Sequence, residues 1–390
     1  MKLLSGIALL IGVLVGRSSF AATFYVATTG DDSNSCTEAQ NPSTPKRNII
    51  GARGGLSCLG AGNADILDVR AGNYNDRITS VVSGTSFTNA ATIRAHSGET
   101  VTLTGGIGLE GPSFVVFDGF NVRNQNIWVG STTTPENAGH HIRFLNFDVT
   151  GIDNDNLVMI SRFSHHVEFI GGSFHGAVCA CYAFYIAGQD NLVEHAVIYG
   201  NASYGIHAYS TASEKPDRNI YRYNEFYANG SSNDLNSSAL LLGSGDSNQA
   251  YDNIVRDNYR DGITSSNGAT NSKIYNNTVY NNNRSGRAYG GIVWGIGSGT
   301  TIKNNIVYDN GVADFADSHG VQTPTFANNH CTNAGTGCAQ SGDPLFADLA
   351  NRDLVLSVGS PDRGAGTPYI DVNISWPFVP DIGAMLDVQP

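Results

Sequence analysis

A short pattern returns nine times along this chain, and that recurrence limits its fold more than any other feature. The segments HIRFLNFDVTG, HVEFIGGSFHG, NLVEHAVIYGN, NIYRYNEFYAN, NQAYDNIVRDN, SKIYNNTVYNN, TTIKNNIVYDN and PTFANNHCTN align on one column. It reads Phe147, Gly172, Ala196, Asn224, Asn253, Asn277, Asn305 and Asn329, with Phe120 before them. The steps run from 24 to 29 residues, with a mean near 26. Two positions on stand Val122, Val149, Phe174, Ile198, Phe226, Val255, Val279, Val307 and Cys331, apolar at all nine positions. Self-similarity at a fixed period marks a repeat architecture, in which each unit buries its apolar face only against its neighbours.

The repeats alternate apolar and polar residues over short runs, and Gly, Asn and Ser join them; no apolar pattern of period 3.6 persists over helical length. A unit of this size holds three short strands and three turns, which predicts an all-β, single-stranded parallel β-helix of 9–11 coils. Nine coils at about 4.8 Å each make a rod of roughly 43 Å. The asparagines from Asn224 to Asn329 are expected to stack inside one turn, each amide bonding along the axis as in other stacked sheets. Residues 22–112 read as an N-terminal cap with the first coils and a capping helix near 46–58. Residues 113–339 read as regular coils, and 340–390 as an irregular tail rich in proline.

Charge narrows the partners. The chain carries 22 Lys and Arg against 34 Asp and Glu, a net −12. Met1 to Ala21 resembles a secretory signal: Lys2, an apolar run from Leu3 to Val15, then small residues at Ser19-Phe20-Ala21. That apolar run of about 13 residues is too short to span a bilayer. Cleavage removes Lys2 and Arg17 and takes the chain to −14. Such a surface has no basic face for nucleic acid. The expected product is secreted, extracellular or periplasmic, monomeric and not inserted in a membrane. Export permits disulfides; Cys36 and Cys58, and Cys331 and Cys338, fall in loop-rich flanks that gain from a staple. For Cys179 and Cys181 a bridge and two reduced thiols are equally open.

These coils resemble right-handed parallel β-helix proteins of the pectate-lyase-like superfamily, which also carry an asparagine ladder at one turn. The opening TFYVATTGDDSNSC with ILDVRAGNYND, and the close DPLFADLANRDLVLSVGSPDRGAG with PDIGA, are similar to those of secreted members. The resemblance covers nearly all of residues 23–384 and specifies architecture better than chemistry, because this fold hosts lyases, hydrolases, epimerases and inert binding proteins.

Polysaccharide-active members bind their chain along the outside of one sheet, which here includes NIWVG, NLVMIS, AFYIAG, GIHAYS, ALLLGS, GITSS and GIVWG. With Ile206 inward, alternation points Trp128, Val158, Tyr185, His207, Leu241, Thr264 and Val293 outward. One turn earlier lie Asp155, Tyr182, Tyr204, Ser238 and Asp261. The coil from Tyr204 to Arg222 is the densest in chemistry, because its loop STASEKPDRN adds Lys215, Asp217 and Arg218. The expected catalytic residues are therefore His207, Tyr204, Lys215 and Arg218. Tyr182, Tyr185, Trp128, Arg260 and Asp261 are the expected substrate-binding residues. Aromatic faces pack on a sugar ring, and Arg or Lys pairs with a carboxylate.

No cofactor is assigned. Asp153, Asp155 and Asp190 could hold Ca²⁺ through hard oxygens, although a solvated acidic turn fits them better. The pairs His140-His141 and His165-His166 each open a strand, with linear spacing that fits no metal cage. Polygalacturonase-type hydrolysis is disfavoured because its paired carboxylates are missing; the later motifs of pectin esterases and the acidic groove of calcium-type pectate lyases are also absent. Tyr204-Gly205-Ile206-His207 loosely resembles the Tyr-Gly-Phe-Asp-Pro-His stretch of mannuronan epimerases, without its aspartate. The leading reading is a lyase that cleaves an acidic, uronate-containing polysaccharide by β-elimination. A C5 epimerase on the same site is one alternative, and a non-catalytic glycan-binding or matrix protein is the other.

Overall fold

Alternation inside short strands, many of them three residues long, builds the described coils. In Ile220–Arg222 or Glu225–Tyr227 only the middle residue faces inward, and it is fully buried. The computed structural model describes residues 21–130, 134–152, 154–232, 237–286, 289–368, 370–371, 374–375 and 380–384. The proposed signal segment lies outside them, apart from Ala21, as does Asp153.

The described strands wind into an all-β, right-handed parallel β-helix of about 10 turns. Each coil contributes to three stacked runs of parallel strands. One run carries the inward series Phe24, Leu67, Ile93, Phe117, Phe144, Phe169, Val193, Tyr221, Ala250, Ile274, Ile302 and Phe326, each paired with the next. The second carries the anticipated column from Val122 to Cys331 in unbroken register. The third is a nine-stranded sheet, from Ile107–Leu109 through Ile206–Ala208 to Phe315–Asp317. We call it the face sheet. Inward residues of all three runs form one core along the axis.

The turns share one device. A residue with left-handed backbone is followed by an inward residue, and the same position recurs in every coil. At the turn after the first run, the left-handed residues include Asn146, His195, Tyr223, Asp252, Asn276, Asn304 and Asn328. Asn and Asp tolerate that conformation best among residues with a side chain, which accounts for much of the asparagine in this chain. The inward residues that follow form the anticipated ladder. Asn224 donates its backbone N–H and its side-chain amide to Asn253 Oδ1, and Asn253, Asn277 and Asn305 repeat the pattern up to Asn329. Two further ladders, not anticipated, occupy the other turns: Asn191, Asn219 and Asn248, and Asn201, Asn229, Asn258, Asn282 and Asn310.

The expected capping helix is absent; the segment holds only a one-turn 3-10 helix, Gly55–Cys58. Its glycines explain the difference. Gly54 and Gly55 lie where a β-carbon would meet Ile50 O at 2.0 Å and the Val26 side chain at 2.4 Å, so the segment packs flat against the first coil. Lys46 pins it further, donating from Nζ to Asp32 O and Asn34 O. All three cysteine pairs are bridged, including Cys179–Cys181. Near the other end, Asn276, Asn304 and Asn328 turn their amides outward and hold Asp381 O, Thr367 O and the Thr367 hydroxyl. Among the described residues no helix is long and apolar enough to cross a membrane.

Candidate active site on the face sheet

Register on the face sheet decides which side chains meet. Tyr185 pairs with His207, and the row runs Gly108, Trp128, Met159, Tyr185, His207, Leu241, Thr264, Val293 and Ala316. Two expected members are corrected. Met159 takes the outward place assigned to Val158, which is fully buried. Asn156, whose Oδ1 accepts from Tyr182 N, takes the place assigned to Asp155. Val158-Met159-Ile160 is apolar throughout, so polarity alone could not set its phase.

His207 stands among four phenols. Its ring lies 4.6 Å from that of Tyr182 and 5.4 Å from that of Tyr185, stacked on both. Tyr204 and Tyr209 approach edge-on at 4.5 and 5.4 Å. Tyr209 was missed, although continuing the alternation two residues past His207 reaches it. The arrangement follows from local packing: Phe184, Ile186, Ile206 and Ala208 are fully buried and anchor the two strands. Gly205 allows the close stacking of coils, because a β-carbon there would lie 2.5 Å from Ala239 O. Burial, with smaller contributions from the phenols of Tyr182 and Tyr209, pushes the Tyr185 hydroxyl above its ordinary value. Its proton is therefore held more tightly than that of an ordinary tyrosine.

The expected cations behave differently from one another. Lys215 donates from Nζ to Ser210 O at 2.8 Å, just past the end of the His207 strand. Arg218 turns away to the next turn of the coil, where it grips both carboxylate oxygens of Asp190 at 2.7 and 2.8 Å. That pairing also removes Asp190 from the proposed Ca²⁺ set, and Asp155 accepts instead from Asn126 at 2.7 Å. These two acids lie at opposite ends of the face-sheet strand.

Two coils beyond Tyr204, Asp261 is almost buried and accepts from the backbone N–H of Tyr289 and Gly290. Burial pushes its carboxyl up to about 6, although those two hydrogen bonds and the neighbouring Arg260 pull the other way. Arg260 is itself buried, beside the Tyr259 ring. Trp128 lies three coils below His207 on the same row. Solvent reaches Trp128, Met159, Tyr185 and His207. Leu241, Thr264 and Val293 point outward yet are only 2%, 9% and 1% exposed. The accessible face therefore ends beside the histidine. A concavity away from this sheet is lined by Ile50, Gly51, Leu56, Ser57 and residues 79–82, with no charged side chain among them.

Residues 156–344 match the family model described as "Right handed beta helix region". Among solved structures, pectate lyase Pel9A superimposes with a TM-score of 0.63 at 16% identity, covering 94% of this chain and 97% of that one. An alginate lyase from Paenibacillus sp. str. FPU-7 gives 0.52 at 16% identity, covering 82% and 98%. XylC in complex with xylose gives 0.50 at 9% identity, covering 79% and 69%. At these identities the likeness is one of fold. Among curated protein sequences, none matches this chain.

Proposed function

We propose that this chain, a right-handed parallel β-helix of the pectate-lyase-like type, is an exported protein that cleaves a uronate-containing polysaccharide by β-elimination. The observation that carries the reading is His207, enclosed by Tyr182, Tyr185, Tyr204 and Tyr209 at the edge of the accessible face. Three disulfides fit an oxidising compartment. The fold shared with a pectate lyase and an alginate lyase supports an acidic glycan as substrate.

The chemistry divides among few groups. A uronate C5 proton becomes removable once the adjacent carboxylate is neutralised, and electrostatic stabilisation of this kind is usually the largest catalytic contribution. Lys215 is assigned that role. Arg218, already paired with Asp190, is not. His207 takes the C5 proton, the C–H electrons form the C4–C5 double bond, and the C4–O bond breaks. Tyr204 or Tyr185 returns a proton to the departing oxygen. Tyr182 and Trp128 offer ring faces to neighbouring sugars.

The test is incubation with polygalacturonate, alginate and glycosaminoglycans while following the ultraviolet absorbance of unsaturated ends. His207→Ala should lower turnover by about 10²–10⁴, and Lys215→Ala should raise KM and lower kcat, both with unchanged melting temperature. Inversion at C5 without cleavage, read by NMR, would identify an epimerase. Binding without either product would replace the enzyme reading by a glycan-binding one, and full activity of His207→Ala would refute the site.

A further inference from the structure

The coil period stacks two histidine pairs that are 25 residues apart in sequence. His140 pairs in register with His165, and their rings stack at 4.9 Å. The His141 and His166 rings stack at 4.5 Å. His141 and His166 each occupy the left-handed position of the turn that follows the face sheet, at φ 53° and 54°. The next residues, Ile142 and Val167, are fully buried and lock the turn. Within each pair the two Nδ1 atoms approach to 2.8 Å. One ligating nitrogen from each of His141, His165 and His166 lies within 4.8 Å of the other two.

We propose that His141, His165 and His166 form a binding site for a borderline divalent transition-metal ion, with Zn²⁺ as the reference ligand, that clamps two successive coils together. Imidazole nitrogen suits Zn²⁺, Cu²⁺ and Ni²⁺, whereas Ca²⁺ and Mg²⁺ require oxygen ligands. Tetrahedral Zn²⁺ with bonds of 2.0–2.1 Å spaces its nitrogens about 3.3 Å apart. The Nδ1 atoms of His165 and His166 therefore need to open only slightly, and His141 needs to close in. His140, whose Nδ1 touches that of His141, is the orienting partner, as second-shell groups are in known zinc sites. In the preceding coil the stack continues on Phe114, 4.6 Å from the His141 ring, with Phe87 packed against both. Arg143, the nearest cation in the strand, is engaged by Glu168. Three protein ligands leave one coordination position for water or for a hydroxyl or carboxylate of a bound glycan.

The test uses the untagged chain, stripped of metal and titrated with Zn²⁺ by calorimetry. Ca²⁺ serves as the hard-ion comparison, and Co²⁺ as the spectroscopic probe. One Zn²⁺ per chain, a raised melting temperature and the visible bands of tetrahedral cobalt are expected. His166→Asn preserves the left-handed backbone, which asparagine tolerates. Combined with His165→Gln it should weaken Zn²⁺ binding by at least about tenfold, the loss typical of removing even an outer partner. His195→Asn, on another turn and likewise compatible with a left-handed backbone, should leave binding unchanged. If the double variant fails to fold, His141→Asn and the cobalt spectrum of the wild type decide. No stoichiometric uptake by the wild type, or equal uptake by a folded variant, overturns the proposal. Neither result bears on the uronate reading, which rests on other residues.

Discussion

The lower and upper coils fill the same three turns in opposite ways. Below about residue 190 the inward turn positions hold Val115, Ile142 and Val167, then Phe120 and Phe147, then Ile152 and Ala177, all buried. Above it most of the corresponding positions are asparagines, with Ala196 on the second turn and Ser272 and Thr300 on the first as the departures. The strands differ in step. His140–Thr150 and His165–His175 each run for 11 residues straight through a turn, pairing backbone to backbone on both sides of it. In the upper coils the corresponding strands are three residues long, and asparagine amides supply the bonds at the corner. A corner is thus bonded either by strands that run continuously through it or by asparagine amides, and bulky rings such as Tyr221 and Phe226 pack in the laddered coils too. In both cases the rule is that buried backbone groups must be bonded.

Substitutions on each side of this divide should separate volume from hydrogen bonding. Phe144 stacks between Phe117 and Phe169, at 5.4 and 4.6 Å. Phe144→Ala should cost about 3–5 kcal/mol in urea unfolding, as large core truncations do. Asn277 accepts from Asn253 N and Nδ2 and donates to Ala250 O and Asn305 Oδ1. Asn277→Leu keeps the volume and leaves neighbouring groups unpaired, so it should cost about 1–3 kcal/mol. An unchanged melting curve would count against the ladder. A Phe144→Ala cost below that of Asn277→Leu would reverse the contrast.

Smaller effects sharpen the same picture. Asp261 has a folded-state value of about 6 against an ordinary 3.8. Between these values the folded chain binds a proton that the unfolded chain does not. Stability contributed by the protonated acid is therefore present below pH 4 and lost as pH rises through 6, an effect of at most about 3 kcal/mol. Asp261→Asn keeps the acceptor for Tyr289 and Gly290 and should flatten that slope in pH-dependent melting. Arg218 is half exposed in its pair with Asp190. Arg218→Ala should change stability by less than about 1 kcal/mol and leave uronate turnover intact, which separates it from Lys215.

The asparagine ladder from Asn224 was legible because five identical residues fall on one column, whereas the ladders from Asn191 and Asn201 sit on columns the alignment did not follow. The site was legible in part. Strict alternation carried Tyr185 and His207 to the same row, but the uniform apolar run at Val158 hid the shift to Met159. Arg218 looked like a neighbour of His207 in sequence, and the turn between them carries it to Asp190.

Period, alternation and left-handed asparagines are local properties, so the sequence by itself determined the parallel coil and the inward column from Val122 to Cys331. Three outcomes depended on tertiary structure: the approach of Tyr209 to His207, the sealing of Leu241 and Val293, and the union of two histidine pairs. The physical reason is that the axis of a β-helix brings together residues about one coil apart. Which side chains meet there is set by register and by side-chain direction, and one added residue in a turn changes both.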